Sequence, residues 1–203
     1  MTSSIPTFPA ARDLQQAHFR FLDAEPRDLF YRAATELVDR ALRGQASLTI
    51  AEAVAVLLQT WNRSYYQYRR FDGQHFAEID ALIVKYQQLL VAFRARSIDS
   101  FCDEDEATVR SLFESFETVL GPIGAAKSLH LLAPRFFPLW DRAIATGYGL
   151  PLGRRGSNGI RYCRFMRIAK AQCESVGGEE SLKHNPLKAI DEYNYCKYTK
   201  GWL

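Results

Sequence analysis

Apolar residues recur at helical spacing along most of this chain of 203 residues. In the segment from Asp28 to Leu42, for example, positions 29, 33, 37 and 41 form one apolar stripe. Such a stripe is typical of a helix that buries one side. Runs of alternating polar and apolar residues, which would indicate strands, are missing. The periodicity therefore predicts an all-α fold.

Local signals place the ends of several predicted helices. Thr49 with Glu52 three residues later forms a capping box, and Pro186 is typical of a first helical turn. Asp103 or Asp105 is the expected cap of the helix that follows them. The segment 147–159, with five glycines and one proline, is predicted to be a loop. The predicted helices cover residues 28–42, 76–96, 125–132, 161–176 and 186–198, with further helices after Thr49, after Asp103 and near Trp140.

Length and composition bound the class of protein. A chain of 23.2 kDa is long enough for one domain or two closely packed lobes. The four cysteines are too widely spaced for a zinc or iron–sulfur motif, and the histidines form no cluster with them. No secretory signal and no apolar run of membrane-spanning length is present. We therefore expect no metal, no cofactor and no membrane association, and a cytoplasmic protein, nucleoid-associated if prokaryotic.

The distribution of charge is more informative than the net charge of +3. Residues 142–173 contain seven cations and no acidic residue. A segment of one sign is expected where a protein contacts a polyanion, although charged runs are often only solvated surface. Three of these cations flank the glycine-rich loop and are candidates for binding phosphates: Arg154, Arg155 and Arg161.

A tight turn, Gly121-Pro122-Ile123-Gly124, begins one helix, and Asp141 precedes the next helix. The free N–H groups of a helix start suit a phosphate, and glycine lets a ligand backbone come close. The alternative is that the glycines only permit close packing between helices. Asp141 is likewise either a catalytic carboxylate or an N-cap, and the two roles are compatible.

These motifs resemble the helix-hairpin-helix DNA glycosylase superfamily, which has the endonuclease III-like fold. In that family a hairpin of the type Leu-Pro-Gly-Val-Gly precedes a helix and then an apolar segment ending in the catalytic Asp. Leu120, Ile123 and Gly124 match the hairpin, with the Pro and first Gly exchanged, and residues 137–141 match the segment that ends at the Asp. The resemblance covers roughly residues 50–175.

The resemblance implies a two-lobed helical domain spanning residues 1–203, with lobes formed by residues 45–118 and by residues 119–203 together with the N-terminal helices. It implies a base-excision N-glycosylase that binds duplex DNA, including damaged DNA, in preference to RNA. Asp141 would be its catalytic carboxylate. The hairpin residues implied to contact the DNA backbone are Gly121, Ile123, Gly124, Ala125 and Lys127.

Departures from the family pattern bear on the mechanism. The nucleophilic lysine of bifunctional members aligns with Ala126, whereas Lys127 lies one residue later and is rotated by about 100° on a helix. The family's iron–sulfur cysteines are absent. A monofunctional enzyme is therefore favoured over one in which Lys127 attacks the sugar. The alternative is a non-catalytic module that binds nucleic acid through the same hairpin, and a purely structural domain would leave the basic segment unexplained.

An upstream block of aromatic and amide side chains is the candidate base pocket. A flipped base needs flat rings for stacking and amides for hydrogen bonding to its edge. The block resembles the early family helix that ends near the base. Packing between helices is the other reading, because several of its rings share one helical face. The candidate residues are Gln59, Trp61, Asn62, Tyr65 and Tyr66. The sequence does not specify the lesion or the oligomeric state.

Overall fold

The computed structural model describes residues 8–178 and 185–203 of the chain. This part of the protein is all-helical and contains no strand. The helices are α1 (Ala11–Ala24), α2 (Asp28–Leu42), α3 (Ile50–Trp61), α4 (Arg63–Tyr66), α5 (Gly73–Arg94), α6 (Asp103–Leu132), α7 (Arg142–Gly147), α8 (Gly159–Ser175) and α9 (Pro186–Asn194). A 3₁₀ turn covers Ile98–Ser100, and a π-helical turn covers Tyr195–Lys200.

Helix ends that depend on neighbouring residues agree with the sequence signals. Helix α2 has the predicted bounds, and α9 begins at Pro186. Thr49 caps α3 as predicted: its hydroxyl accepts from the Glu52 N–H at 3.2 Å, and the Glu52 carboxylate accepts from the Thr49 N–H at 2.6 Å. Two orphan donors of the first turn are thereby satisfied.

The predicted starts of α5 and α6 need correction. Helix α5 begins at Gly73 rather than Phe76, because the Asp72 carboxylate accepts from the His75 N–H at 3.0 Å and caps the helix earlier. The N-cap of α6 is Cys102, and Asp105 contributes by accepting from the Cys102 N–H at 3.1 Å. Its carboxylate also pairs with Arg96, which lowers the pKa of Asp105 to about 2.

Helix α6 changes direction at one residue. Gly121 has φ 70° and ψ 168°, which is outside helical geometry and in the range that only glycine adopts easily. Pro122 then takes the first position of the second half, where its missing N–H costs nothing. The predicted turn at Gly121 is therefore present as a kink between two halves of α6, residues 103–120 and 122–132, and a helix-hairpin-helix motif as such is not shown.

A contiguous apolar core connects all the long helices. Helix α2 packs on α3, α6 packs on α5 and α8, and α1 packs on α9. At the centre, the Phe93 ring stacks on Phe136 with centroids 4.5 Å apart, and Phe113 stacks on Tyr162 at 4.3 Å. These helix contacts place the N-terminal helices against the C-terminal helix. A cavity remains where α1, α3, α6 and α9 meet.

None of the helices in the described ranges has the length and apolar character needed to cross a membrane. The four cysteines carry free thiols, and only Cys102 is exposed.

Candidate functional site

A partly open cavity of about 70 Å³ lies between the second half of α6, the start of α7 and helix α9. Its walls combine aromatic rings with charged side chains, which is the composition of many ligand sites. The lining residues are Phe21, Glu25, Arg27, Trp61, Lys127, Leu139, Trp140, Asp141, Ile144, Asp191 and Tyr195. The two candidate catalytic residues of the sequence, Lys127 and Asp141, thus line one cavity with Trp61.

Asp141 both caps α7 and faces the cavity. Its Oδ1 accepts from the Ile144 N–H at 2.8 Å, and its Oδ2 accepts from the Thr199 hydroxyl at 3.2 Å. The side chain is half-buried and lines the cavity. The cap therefore fixes the orientation of the carboxylate without removing it from the site.

Lys127 lines the same cavity, and its ammonium donates to the main-chain carbonyl of Trp61. The ammonium is 5.9 Å from the centroid of the Trp61 ring. Burial lowers the pKa of Lys127 to about 8, although Asp141 and Asp191 oppose that shift. An amine with such a pKa has an appreciable uncharged fraction near neutrality, and the uncharged form is the nucleophilic one.

A rigid polar network forms the wall contributed by the N-terminal helices. Arg27 binds the Glu25 carboxylate through two hydrogen bonds of 2.8 and 2.7 Å and donates to the Tyr195 hydroxyl at 2.7 Å. The Arg27 guanidinium holds the pKa of Glu25 at about 2, so that carboxylate remains ionised. The Trp61 indole N–H donates to the Arg27 carbonyl at 2.8 Å, which fixes the ring of Trp61 in the wall.

A third carboxylate, Asp191 of α9, also lines the cavity. Burial raises the pKa of Asp191 to about 7, and the nearby Asp141 adds to the shift while Lys188 opposes it. The Lys188 ammonium lies 3.7 Å from Asp191, 3.4 Å from Glu192 and 3.2 Å from Asp28. Burial alone would lower the pKa of Lys188, but these three carboxylates keep it above its ordinary value.

The glycines of the α6 kink contact protein side chains. A Cβ on Gly121 would lie 3.1 Å from the Tyr65 ring, and one on Gly124 would lie 3.0 Å from the Asn62 amide. Ala125 is fully buried and Ile123 half-buried. These contacts are the close packing between helices that was the alternative interpretation of the turn.

Of the five candidate base-pocket residues, Trp61 alone lines the cavity. Gln59 is exposed, Asn62 is buried beside Gly124, and Tyr65 donates to the Val119 carbonyl at 2.9 Å. Tyr66 packs on Phe71 and His75 instead. The cause is that α3 ends at Trp61, and Asn62 (φ −118°, ψ 31°) breaks the helical register that would have kept Trp61 and Tyr65 on one face.

The basic segment is partly neutralised by other helices. Arg167 contacts Asp103 at 2.6 Å and Glu106 at 2.5 Å, both on α6, and Lys170 donates to a carbonyl. Arg161, in the first turn of α8, donates to the Ser157 carbonyl of the preceding loop at 2.9 Å. Arg154 and Arg155 are exposed and make no side-chain contact of this kind within the described ranges.

His130 is a core residue, as its apolar helix predicts. The Tyr31 hydroxyl lies 2.9 Å from its Nε2, and its Nδ1 lies 2.7 Å from the Phe137 carbonyl. In residues 8–178 and 185–203, no cluster of His, Cys, Asp and Glu side chains has the geometry to hold a metal ion.

Sequence reasoning missed Glu25, Arg27 and Asp191. Glu25 and Arg27 lie in the α1–α2 connection and Asp191 on α9, far from the motifs in sequence, and only tertiary packing brings them to Lys127 and Asp141. The sequence offered only the charged run from Lys188 to Glu192 in α9, and its burial is visible in the structure alone. Comparison with known protein families, with curated proteins and with solved structures finds no match.

Proposed function

We propose that this protein is a base-excision-type DNA N-glycosylase whose reaction takes place in the cavity between Lys127 and Asp141. The observation that carries the proposal is that these two residues and the Trp61 ring line one partly open cavity. One face of the Trp61 ring stacks on Tyr31 with centroids 5.2 Å apart. The part of the ring that lines the cavity is available to an unstacked base or sugar, and a half-buried carboxylate stabilises positive charge that develops on the sugar.

In the hydrolytic reaction the oxygen of a water molecule bonds to C1′ of the nucleotide. The bond between C1′ and the base nitrogen breaks, its electron pair leaves with the base, and Asp141 accepts the proton of the water. The Ile144 and Thr199 donors hold the carboxylate in place during this step. No cofactor is required for this chemistry.

A second activity, cleavage with a covalent intermediate, is favoured by the position of Lys127 in the same cavity. The uncharged amine would bond to C1′ in place of water, Asp141 would take the amine proton, and an imine would follow when the sugar ring opens. The alignment of the family's nucleophilic lysine with Ala126 favours the hydrolytic reaction. The two reactions can be distinguished by experiment, because only the second forms an imine. Borohydride reduces an imine and links the DNA covalently to the protein.

Release of bases from oligonucleotides tests the proposal. Duplex and single-stranded DNA, each with one damaged base, would be incubated with the protein, and alkali would reveal abasic sites. Asp141→Asn is the decisive variant because Asn caps a helix as well as Asp does, so only the charge is removed. We expect base release from at least one substrate, reduced about a hundredfold or more in Asp141→Asn.

The controls separate the alternatives. Covalent trapping by borohydride in the wild type, absent in Lys127→Met, would establish the imine route. Salt-dependent binding without release of any base would favour the non-catalytic module. Absence of both release and binding would overturn the proposal that DNA is the substrate.

A further inference from the structure

A second groove, separate from the cavity, lies between the α4–α5 connection and the glycine-rich loop. It is open to solvent and has a volume of about 570 Å³. Tyr65, Tyr68, Arg69 and Arg70 line one side, and Arg155 lines the other. Guanidinium groups interleaved with exposed rings are the composition of surfaces that bind nucleic-acid strands.

Two cations of the groove lack a close partner. Of the acids in the groove, Glu78 lies 2.6 Å from Arg69, whereas Asp72 caps α5 and its charge acts on Arg70 without a close contact. Arg70 and Arg155 are both exposed, and neither forms an ion pair or hydrogen bond with the described residues. Two guanidinium groups are therefore free to contact an anion from opposite sides of the groove.

Tyr68 is the most exposed large hydrophobic side chain of the described residues, at 92%. Tyr65, by contrast, is held by its hydrogen bond to Val119 and by its contact with Gly121. A ring left in water has no packing role to explain it, and its face is free to stack on a base. Such stacking is tolerant of sequence.

The loop that carries Arg155 is anchored to the core. Asn158 is fully buried, accepts from the Gly153 N–H at 2.7 Å and donates from its amide to the Arg154 carbonyl at 3.1 Å. Its amide also donates to the buried carboxylate of Glu117 on α6. The backbone on both sides of Arg155 is thus tied to the core through Asn158.

The groove and the cavity lie along one seam between α6 and the end of α3. Tyr65 covers Gly121 at the groove end, and Lys127 donates to Trp61 at the cavity end. Gly121 and Lys127 are six positions apart, which is about 9 Å at the helical rise of 1.5 Å per residue. That length corresponds to about two or three nucleotides of one strand at 3.4 Å each.

We infer that the groove binds the sugar-phosphate backbone of the DNA strand beside the nucleotide held in the cavity. Arg70 and Arg155 contact its phosphates, and Tyr68 stacks on a neighbouring base. The inference rests on the proposed function for the identity of the polymer, but it concerns binding and not cleavage.

Fluorescence anisotropy with a labelled oligonucleotide, single-stranded and duplex, tests the groove at several salt concentrations. All variants would carry Asp141→Asn so that the DNA is not consumed. We expect the double variant Arg70→Ala, Arg155→Ala to weaken binding. The slope of log Kd against the logarithm of the salt concentration should fall by about 1.4 to 1.8, since each lost phosphate contact contributes about 0.7 to 0.9 to that slope. We expect Tyr68→Ala to raise Kd by about fivefold or more.

Matched controls carry the same chemical changes elsewhere. Arg43→Ala removes an exposed arginine at the end of α2, and Phe19→Ala removes a ring that is 63% exposed on α1. If the groove variants bind like these controls while the parent binds DNA, the groove inference is wrong and the proposed function stands. If the groove variants weaken binding but no base is ever released, the groove stands and the glycosylase proposal fails. A parent protein that does not bind DNA overturns both.

Discussion

Lys127 donates a hydrogen bond from its ammonium to the main-chain carbonyl of Trp61, the last residue of α3. The carbonyls at a helix C-terminus carry partial negative charge and lack intrahelical partners, so a cation is favoured there. The contact therefore accounts for the direction of the Lys127 side chain. It also holds the amine at the wall of the cavity in which the proposed reaction takes place.

Replacing Lys127 with Met should leave the protein at least as stable at pH 7. Burial lowers the pKa of Lys127 from 10.5 to about 8, so the folded state carries a charge that is less favourable than in the unfolded chain. Between pH 8 and about 10.5 the unfolded state binds more protons, so wild-type stability should rise relative to Lys127→Met by up to about 1.4 kcal/mol per pH unit. Urea unfolding at pH 7, 8, 9 and 10 measures both effects. A large loss of stability in Lys127→Met at pH 7 would show that the hydrogen bond outweighs burial.

Two substitutions of Asp141 should separate its cap from its charge. Asp141→Asn keeps an acceptor for the Ile144 N–H, so we expect little change in the free energy of unfolding. Asp141→Ala removes the acceptor and should cost about 1 kcal/mol. Thr49→Ala, which removes the cap of α3, is the matched control and should cost a similar amount. Equal stability of Asp141→Asn and Asp141→Ala would mean that the cap contributes nothing.

Gly121→Ala should destabilise the protein more than Gly44→Ala. Both glycines have positive φ, 70° and 66°, so a Cβ costs at least about 1 to 2 kcal/mol at either position. The cost is higher at Gly121, whose ψ of 168° places it in a region that is essentially restricted to glycine. At Gly44 the added atom meets nothing within 4 Å, whereas at Gly121 it lies 3.1 Å from the Tyr65 ring. The difference between the two variants in chemical denaturation therefore measures the backbone strain at Gly121 together with its contact with Tyr65. Similar losses in both variants would contradict both effects.

The helices were predictable where a few adjacent residues determine them. The side chains of Thr49 and Glu52 each accept a hydrogen bond from the backbone N–H of the other residue. The ends of α2 follow from its own periodicity. The site was predictable only in part. The helical register breaks at Asn62, and this break cannot be predicted from the residue types. It directs Trp61 into the cavity and Tyr65 towards Gly121. Asp191 reaches the site through the packing of α9, and its local sequence does not encode that.

His130 should remain neutral well below pH 6. Burial lowers its pKa to about 3, outweighing the hydrogen bond to Phe137. Because the unfolded state binds a proton near pH 6.5 and the folded state does not, His130 should reduce stability progressively as pH falls from about 6.5 to 3. NMR titration of the imidazole resonances, assigned with His130→Gln, measures the pKa directly. Protonation of His130 near pH 6 in the folded protein would contradict its burial.

Asp191 should give the opposite dependence on pH. Its folded-state pKa of about 7 lies above the ordinary 3.8, so the folded state holds a proton that the unfolded state has lost. The contribution of Asp191 to stability should therefore fall as pH rises from about 4 to 7, by up to about 1.4 kcal/mol per pH unit. Asp191→Asn cannot ionise and should gain stability relative to the wild type across that range.

The charged neighbours of Asp191 make this comparison specific. Lys188, Glu192 and Asp28 remain together in Asp191→Asn, so the Lys188 ammonium keeps two carboxylates. Asp23→Asn, at an exposed carboxylate on α1, is the control and should track the wild type. Urea unfolding of all three proteins at pH 4, 5, 6 and 7 provides the test. Parallel curves for Asp191→Asn and the wild type would mean that Asp191 is ionised throughout, with Lys188 as its dominant partner and the cavity more polar than its burial implies.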